Sequence, residues 1–226
     1  MKLALVGYGK MGRMLDSLAA EHGFEVVARI DLGDSLDLAR GADVAIEFST
    51  PEVAVPNLLG LAERGVRTVC GTTGWFGDLP QVREAVEKAG GAVVYSPNFS
   101  IGVNVFLRIA AETARLMKDQ ASYGAWAWEI HHAAKKDAPS GTLLKIVEEM
   151  RASGYDRAID ISSNRVGAVP GTHEIGFDSA ADTITLRHTA RSREGFARGA
   201  LKAAQWLCAH PDQRGTFEFR DIIFKG

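Results

Sequence analysis

The densest group of reactive side chains lies between Glu129 and Thr142. His131 and His132 end an alternating segment that predicts a strand, and Lys135 and Lys136 follow within four residues. An imidazole titrates near neutral pH, and the proton affinity of an ammonium group responds to its neighbours. This spacing therefore indicates a site where protons are transferred to or from a bound molecule.

A Pro-Ser-Gly-Thr turn follows the lysines and opens a predicted helix. Ser140 is a natural N-cap, which leaves the amides of Gly141 and Thr142 available to an anion. The histidines, lysines and helix start concentrate positive potential in a chain whose net charge is −2. A small dicarboxylate is the kind of ligand that this pattern predicts.

Each feature of this segment also has a simpler interpretation. Adjacent histidines can be zinc ligands, but no third ligand occurs at metal spacing nearby, so no metal site is expected. Paired lysines commonly form a solvated loop, and Ser140 can serve only as a helix cap. The joint occurrence of these features within twelve residues favours a binding site.

A second candidate site is a glycine-rich turn directly after the first predicted strand. It matches G-x-G-x-x-G, a pattern that binds a dinucleotide pyrophosphate at a helix start. Asp31 ends the next strand 19 residues beyond Gly12, where a carboxylate can hold the adenosine ribose. A glycine turn beside an unrelated surface aspartate is the alternative. The predicted cofactor-binding residues here are Gly7, Tyr8, Gly9, Lys10, Met11, Gly12 and Asp31.

The identity of the nucleotide depends on charge beside its ribose. Asp31 favours NADH, because a 2′-phosphate would lie beside a carboxylate. Lys10 and Arg29 are near enough in sequence to compensate, so NADPH stays open.

Two further turns follow the fourth and fifth predicted strands. Ligands of open parallel sheets lie outside the carboxyl ends of strands, so both turns are candidates for the same site. Ordinary turn formation explains their composition equally well. Their residues are Gly71, Thr72, Thr73 and Gly74 in the first turn, and Ser96, Pro97, Asn98 and Phe99 in the second.

The elements that position these groups alternate in the first part of the chain, which is typical of a doubly wound parallel sheet. Helices are predicted from Met11 to Ala19 and over Pro80–Ala89, whereas the link from Ile30 to Asp43 is too short for a full crossover helix. The predicted strands are Leu3–Val6, Val26–Ile30, Asp43–Phe48, Val66–Cys70 and Ala92–Tyr95.

The second part is richer in strands and predicts an open mixed sheet. We expect an α/β protein with a Rossmann-like dinucleotide-binding domain, residues 1–100 and 194–226, and an α+β substrate-binding domain, residues 101–193. The predicted helices are Val103–Met117, Gly141–Ala152 and Glu194–Ala209, and the predicted strands are Tyr123–His132, Ile159–Arg165, His173–Phe177, Thr183–His188 and Thr216–Phe224.

Bulk properties exclude several classes of function. A chain of 226 residues with net charge −2 has no overall field that attracts nucleic acid or anionic membranes. No apolar run is long enough to span a membrane, and the N-terminus reaches glycine too early for a signal peptide. Cys70 and Cys208 are interpreted as reduced thiols of a cytoplasmic protein.

One family combines these motifs. The run His131-His132-x-x-Lys135-x-Asp137-Ala138-Pro139-Ser140-Gly141-Thr142 resembles the signature of 4-hydroxy-tetrahydrodipicolinate reductases. The compact link between Asp31 and Asp43 departs from many members and puts the cofactor preference in doubt. The glycine turns, Asn98–Asn104, Gly171-Thr172-His173, His188–Arg193 and Phe196-Ala197 are similar to the same family.

The resemblance implies that a nicotinamide cofactor reduces C4 of a cyclic imine dicarboxylate, after which C3 is protonated. It implies that His131 donates or accepts a proton, that Lys135 is a second donor, and that His132 binds substrate together with Ser140, Gly141 and Thr142. The family also implies a homotetramer assembled through the mixed sheet of the second domain.

Two other functions fit part of the sequence. A different two-domain dehydrogenase, acting on aspartate or a sugar, would explain the glycine turn but not the histidine–lysine segment. A dinucleotide-sensing regulator without turnover would need a partner-binding surface, and the sequence shows no basic recognition helix.

Overall fold

The computed structural model describes residues 1–224 and divides the chain into two compact units. The first comprises Met1–Ile101 with the residues from Glu194 onward, and the second comprises Gly102–Arg193. The helices are α1 (Lys10–Ala19), α2 (Pro51–Glu63), α3 (Leu79–Lys88), α4 (Ile101–Met117), α5 (Gly141–Ala152), α6 (Glu194–Ala209) and α7 (Phe219–Phe224). The strands are β1 (Lys2–Val6), β2 (Glu25–Ile30), β3 (Val44–Glu47), β4 (Thr68–Cys70), β5 (Ala92–Tyr95), β6 (Gly124–His131), β7 (Ile159–Arg165), β8 (Thr172–Asp178), β9 (Thr183–Thr189) and β10 (Gly215–Glu218).

The first unit contains a six-stranded sheet in the order β10-β5-β4-β3-β1-β2. All of its strand pairs are parallel, which confirms the predicted Rossmann-like sheet. Helices α1 and α6 pack on one face, and α2 and α3 pack on the other. Because both faces are covered, the strands read as continuous apolar runs. The strand order reverses at β1, because β2 lies on one side of β1 and β3, the next strand in the chain, lies on the other.

Two predictions for the first unit were wrong or incomplete. The sequence predicts one strand over Thr216–Phe224, but in the structure the strand ends at Glu218 and the chain continues as α7. Phe219, Ile222 and Ile223 pack against the core with helical spacing, and that spacing explains the change. Helix α2 was not predicted; its first residue is Pro51, and Ala54, Leu58 and Leu61 form its buried stripe. The link after β2 contains only a short 3-10 turn, as expected.

The second unit contains a four-stranded sheet in the order β7-β6-β8-β9. Strand β6 pairs in parallel with β7 and antiparallel with β8, and β8 pairs antiparallel with β9. This arrangement confirms the predicted mixed sheet. Helices α4 and α5 pack on one face through an apolar core, whose members include Phe106, Ala110, Ala127, Leu143, Ile146, Ile175 and Phe177. We call the face in contact with these helices the inner face and the opposite one the outer face.

Candidate active site

The inner face of β6 changes from apolar to charged along the strand. Ala125 and Ala127 belong to the apolar core, whereas Glu129 and His131, the next residues on the same face, are buried polar groups. Side chains two residues apart share one face of a strand. The polar site is therefore a direct continuation of the core.

Strand register extends this polar region across the sheet. Glu129 lies opposite Ser163 of β7 and opposite His173 of β8, and His173 lies opposite His188 of β9. Directly paired residues have closely spaced Cβ atoms on one face. Four strands thus place polar side chains from distant parts of the sequence in a single row.

The Glu129 carboxylate is fully buried and is held through one of its oxygens. Oε1 accepts hydrogen bonds from the Ser140 amide at 2.8 Å, the Ser163 hydroxyl at 3.0 Å and the Arg165 guanidinium at 2.8 Å. Burial alone would raise the pKa of Glu129, but hydrogen bonds from Ser140, Arg165 and Ser163 outweigh it and lower the pKa to about 2. The group is a carboxylate at neutral pH.

The second oxygen of Glu129 faces two imidazoles. Oε2 lies 3.4 Å from Nδ1 of His131 and 3.5 Å from Nε2 of His173. Burial lowers the pKa of His131, although the carboxylate of Glu129 opposes that shift. Burial, followed by the proximity of His131, lowers the pKa of His173 to about 4. Both rings are neutral at neutral pH in the free protein.

The same three residues have metal-ligand chemistry. Donor atoms of Glu129, His131 and His173 all lie within 4.8 Å of one another. Sequence spacing does not reveal this group, because its third member, His173, comes from β8 and is not the adjacent histidine. Arg165 already provides the positive charge beside Glu129, at 2.8 Å, and this disfavours a second cation. We assign no metal to the site.

The loop after β6 places an amine beside the imidazole. Nζ of Lys135 pairs with the Asp137 carboxylate at 2.7 and 2.8 Å, and its positive charge contributes to the lowered pKa of His131. The backbone carbonyl of His132 closes the turn by accepting a hydrogen bond from the Lys135 amide at 3.1 Å. His132 is partly exposed. Lys136 is exposed. The structure therefore brings His131 and Lys135 into one site.

The start of α5 borders this site. Ser140 caps the helix by accepting the Leu143 amide at 3.1 Å, and its Oγ lies 3.3 Å from Nε2 of His173. Ser140 is buried and its amide is bound to Glu129, so its polar atoms have partners inside the protein. Gly141 is exposed, with no atom within 4 Å of the position where a Cβ would lie, and Thr142 is partly exposed. Gly141 and Thr142 are thus the helix-start residues that a ligand can reach.

The glycine turn of the first unit has the geometry of a phosphate cradle. A Cβ at Gly7, whose φ is 88°, would lie 2.2 Å from the Phe48 carbonyl oxygen, and one at Gly12 would lie 2.3 Å from that of Gly7. Gly9 is different: a Cβ there would meet no atom within 4 Å. Gly9 is also the N-cap of α1 and makes no side-chain capping bond. Open space at an uncapped helix start fits the pyrophosphate of a dinucleotide.

The remaining residues of the turn stabilise it or lie exposed. The Tyr8 hydroxyl donates a hydrogen bond to Asp16, which also binds Arg29 at 2.7 and 2.9 Å. Lys10 is exposed and Met11 packs against the core. Arg29 is therefore paired with Asp16 and not with Asp31, which is exposed directly after β2.

The turn after β4 lies at the same edge of the sheet. A Cβ at Gly71 would overlap the Phe48 ring at 2.0 Å, so glycine is required for this packing. Oγ1 of the buried Thr72 accepts the Ser49 amide at 2.8 Å, whereas Thr73 is exposed. The Thr72 side chain thus fixes the turn, and Thr73 presents its side chain to solvent.

The turn after β5 is closed by its own side chains. Ser96 Oγ bonds to the carbonyl and the amide of Asn98 at 2.8 and 3.1 Å, and Asn98 accepts the Ser100 amide at 2.9 Å. Pro97 is exposed. The ring of Phe99 is buried 4.8 Å from that of Phe219, so this side chain belongs to the core.

Several residues of both sites were not predicted. The turn after β3 places Phe48 against Gly7 and Gly71, beside the point where strand order reverses. The carboxyl-end rule that identified the other turns would have found it. Arg165 had no sequence signal, because only strand register brings it opposite His131. Glu129 lies two residues before His131 in a predicted strand, so period-two alternation could have placed both on one face.

Comparisons with known proteins agree with this geometry. Residues 1–99 match the family described as dihydrodipicolinate reductase, N-terminus, and residues 102–223 match dihydrodipicolinate reductase, C-terminus. A 4-hydroxy-tetrahydrodipicolinate reductase of Christiangramia forsetii is 36% identical over 99% of this chain and 98% of its own length. The enzyme of that name from Archaeoglobus fulgidus is 34% identical over 99% of this chain and 100% of its own length.

Solved structures include a similar fold. The dipicolinate-bound dihydrodipicolinate reductase from Paenisporosarcina sp. TG-14 superposes with a TM-score of 0.81, covering 98% of this chain and 99% of its own. Its sequence identity is 21%, so this likeness concerns the fold.

Proposed function

The chain belongs to the dihydrodipicolinate reductase family, and from this premise we propose its reaction. It reduces the cyclic imine dicarboxylate derived from 4-hydroxy-tetrahydrodipicolinate to tetrahydrodipicolinate with NAD(P)H, in diaminopimelate and lysine biosynthesis. The observation that carries the proposal is the buried Glu129–His131–His173 cluster, which lies beside Lys135 and the start of α5.

The cofactor is held by the glycine turn. Gly9 leaves the start of α1 open, and the amides there attract the pyrophosphate. When bound, the nicotinamide supplies a hydride to C4 of the substrate. The turns after β1, β4 and β5 share the carboxyl edge of the sheet, where ligands of this fold bind.

The proposed proton donors lie at the end of β6 and in the loop that follows it. His131 protonates C3, and Lys135 is a second proton donor. An imidazole suits this step because its proton affinity lies close to the working pH. Positive charge on Lys135 and on protonated His131 stabilises the electron density that reduction places on the substrate.

The substrate carboxylates are recognised by the exposed groups around this site. Gly141 and Thr142 offer helix-start amides, and His132 offers a partly exposed ring. Lys135 is paired with Asp137, whose side chain is 56% exposed, and such pairs contribute little to stability. A substrate carboxylate can therefore replace Asp137 as the partner of Lys135 at small cost.

NADH is the preferred cofactor in this proposal. Asp31 lies exposed at the end of β2, where the adenosine ribose binds in folds of this type. The nearby Arg29 is neutralised by Asp16 and does not compensate the charge of Asp31. A ribose phosphate would therefore be repelled.

We further propose a cytoplasmic homotetramer. Both cysteines, Cys70 and Cys208, are free thiols, in keeping with a reducing compartment. In the described part of the chain, every helix is too short or too polar to cross a bilayer. The outer face of the mixed sheet carries Trp126 and Trp128, both partly exposed, and suits contact with a second copy of the chain.

The reaction is tested by following NADH absorbance with freshly generated dihydrodipicolinate synthase product. We expect oxidation of NADH that depends on this substrate, with a higher kcat/KM for NADH than for NADPH. Turnover of aspartate or a sugar instead would identify a different dehydrogenase. Dinucleotide binding without any turnover would identify a sensor.

A further inference from the structure

We propose that Glu129 is a positioning residue that fixes the tautomer of His131, keeping hydrogen on Nδ1 and leaving Nε2 as the reacting nitrogen. The inference rests on the role proposed for His131 in proton transfer. It assigns a function to a buried carboxylate that the reaction itself does not touch.

The position of Glu129 is fixed independently of the histidines. Its Oε1 receives three hydrogen bonds, from the Ser140 amide, the Ser163 hydroxyl and the Arg165 guanidinium. These donors come from the start of α5 and from β7. The carboxylate therefore cannot turn to follow a moving imidazole, and its Oε2 has a set direction.

The contact between Oε2 and His131 admits one arrangement of hydrogen. Glu129 Oε2 and His131 Nδ1 are both buried, lie 3.4 Å apart and have no hydrogen bond to other groups. If Nδ1 carried a lone pair, two acceptors would face each other out of water, at a cost of roughly 1–3 kcal/mol or more. Hydrogen on Nδ1 removes this cost, so Nε2 of the neutral ring is bare.

The other side of the ring lies against a glycine. A Cβ at Gly171 would lie 2.9 Å from Nε2 of His131, and the φ of Gly171 is 149°, a value that side chains rarely allow. Any other residue at this position would press its side chain onto Nε2. The nitrogen that the carboxylate does not hold is thus the one that a glycine keeps uncovered.

His173 supports the arrangement without adding charge. Its Nε2 lies 3.5 Å from Oε2 of Glu129 and 3.3 Å from Oγ of Ser140, and its pKa of about 4 keeps the ring neutral. The charged groups that influence His131 are Glu129, Arg165, Lys135 and Asp137. Glu129 is the group with an oxygen directed at the ring.

The proton inventory follows from this assignment. His131 takes up a proton on Nε2, giving an imidazolium whose Nδ1–H faces Glu129. During reduction the Nε2–H bond breaks and a C–H bond forms at C3 of the substrate, so the electron pair of the enamine forms the new bond. The ring returns to the Nδ1–H tautomer, and the negative charge of Glu129 stabilises the imidazolium that forms when substrate is bound.

The first test uses the unaltered protein. Nitrogen NMR of histidine-labelled protein at about pH 8, where neutral imidazole dominates, distinguishes the two tautomers. The His131 signals are identified by their loss in His131→Gln. We expect hydrogen on Nδ1. Hydrogen on Nε2 would overturn the proposal. The NMR measurement does not depend on activity. A failure of the proposed reaction is therefore recognised separately, by the absence of turnover.

The second test replaces the carboxylate by an amide of equal size. Because the amide of Glu129→Gln can donate to Nδ1, we expect the tautomer to reverse and kcat to fall by about 100-fold or more, with KM and NADH affinity changed less than about threefold. Loss of the negative charge should also move the descending limb of the kcat–pH profile to lower pH, because the pKa of His131 falls.

Glu148→Gln is the matched control, since it makes the same change from carboxylate to amide at an exposed position of α5 that pairs with Lys145. We expect kcat within about threefold of the unaltered enzyme and an unshifted pH profile. Equal losses in both variants, or a Glu129→Gln enzyme with normal kcat, would contradict a positioning role. If Glu129→Gln does not fold, the tautomer of the unaltered protein decides the question.

Discussion

At the scale of single residues, His131 is controlled by opposing influences. Burial and the cations Lys135 and Arg165 lower its pKa, whereas the Glu129 carboxylate raises it. A dicarboxylate bound nearby would add negative charge and favour the protonated ring. The His131 ring is therefore neutral in the absence of substrate, and it can take up a proton and act as an acid when substrate binds.

Replacement of this imidazole tests its proposed role. We expect His131→Gln to lower kcat by about 100-fold or more, because a positioned proton donor typically contributes at least that factor. NADH affinity, measured by fluorescence titration, should stay unchanged. Lys136→Gln, at an exposed neighbouring position, should retain normal kcat. Normal turnover of His131→Gln would remove this residue from the mechanism.

At the scale of elements, two devices position the chemistry: a turn that only glycine can form and a strand whose inner face changes polarity. In the turn after β1, Gly7 and Gly12 are required by close backbone contacts, whereas Gly9 faces open space. In β6, the residues after Ala127 turn the core face into a charged site. Both features position reactive groups through the course of the backbone more than through the chemistry of one side chain.

The glycine turn gives a paired prediction. Gly9→Ala should fold with normal stability but bind NADH about tenfold more weakly or worse, because its Cβ would occupy the space of a phosphate. Gly12→Ala should destabilise the first unit, because its Cβ would lie 2.3 Å from the Gly7 carbonyl oxygen. Urea unfolding and NADH titration distinguish the two effects. A destabilised Gly9→Ala, or a fully stable Gly12→Ala, would contradict this account of the turn.

The polar row of the mixed sheet predicts how stability changes with pH. The pKa of His173 is about 4 in the folded protein and about 6.5 when unfolded, so the unfolded chain binds more protons between these values. Acid therefore favours unfolding, and lowering the pH from about 7 to 5 should cost about 2 kcal/mol from this group. Glu129, whose folded pKa is about 2, should lose its contribution only below about pH 4.5.

Urea unfolding at about pH 7 and pH 5 measures this loss. His173→Asn should reduce the difference between the two pH values, because the titrating group is gone. His210→Asn, an exposed histidine of the first unit, is the control and should leave the difference unchanged. An undiminished pH dependence in His173→Asn would show that other groups cause it.

At the scale of the whole molecule, the outer face of the mixed sheet has no helix of its own unit upon it. Trp126 packs over Gly176, where a Cβ would lie 2.0 Å from the indole ring. Trp128 donates to Asn164 at 2.6 Å, and Glu174 pairs with Arg187 at 2.5 Å on the same face. Aromatic residues and ordered polar pairs on an uncovered sheet are typical of an interface between subunits.

Assembly through this face is tested by a charge at its centre. Trp128→Asp should convert the tetramer to smaller species, as measured by light scattering after size-exclusion chromatography, because a carboxylate would be buried without a partner. Leu116→Asp, at an exposed position of α4, should leave the assembly intact. A tetramer that persists in Trp128→Asp would exclude this face as the interface, and a monomeric unaltered protein would exclude the tetramer itself.

The sequence by itself determined the fold class and the family, and it predicted the first residues of each site. Periodicity and glycine spacing predicted the parallel sheet and the dinucleotide turn, because both patterns arise from interactions close in sequence. The local motif from His131 to Thr142 was enough to indicate the family, and the family matches confirm that prediction. The helix over Phe219–Phe224 was missed because a short apolar segment fits both helix and strand periods.

The tertiary structure decided what controls the reactive groups. Arg165 and His173 come together with Glu129 and His131 only when β6 pairs with β7 and β8 in the observed register. Arg29 is near Asp31 in sequence, yet its guanidinium binds Asp16 of α1. Partners of this kind are fixed by strand register and helix packing, which act between residues far apart in the chain and leave no local pattern to detect.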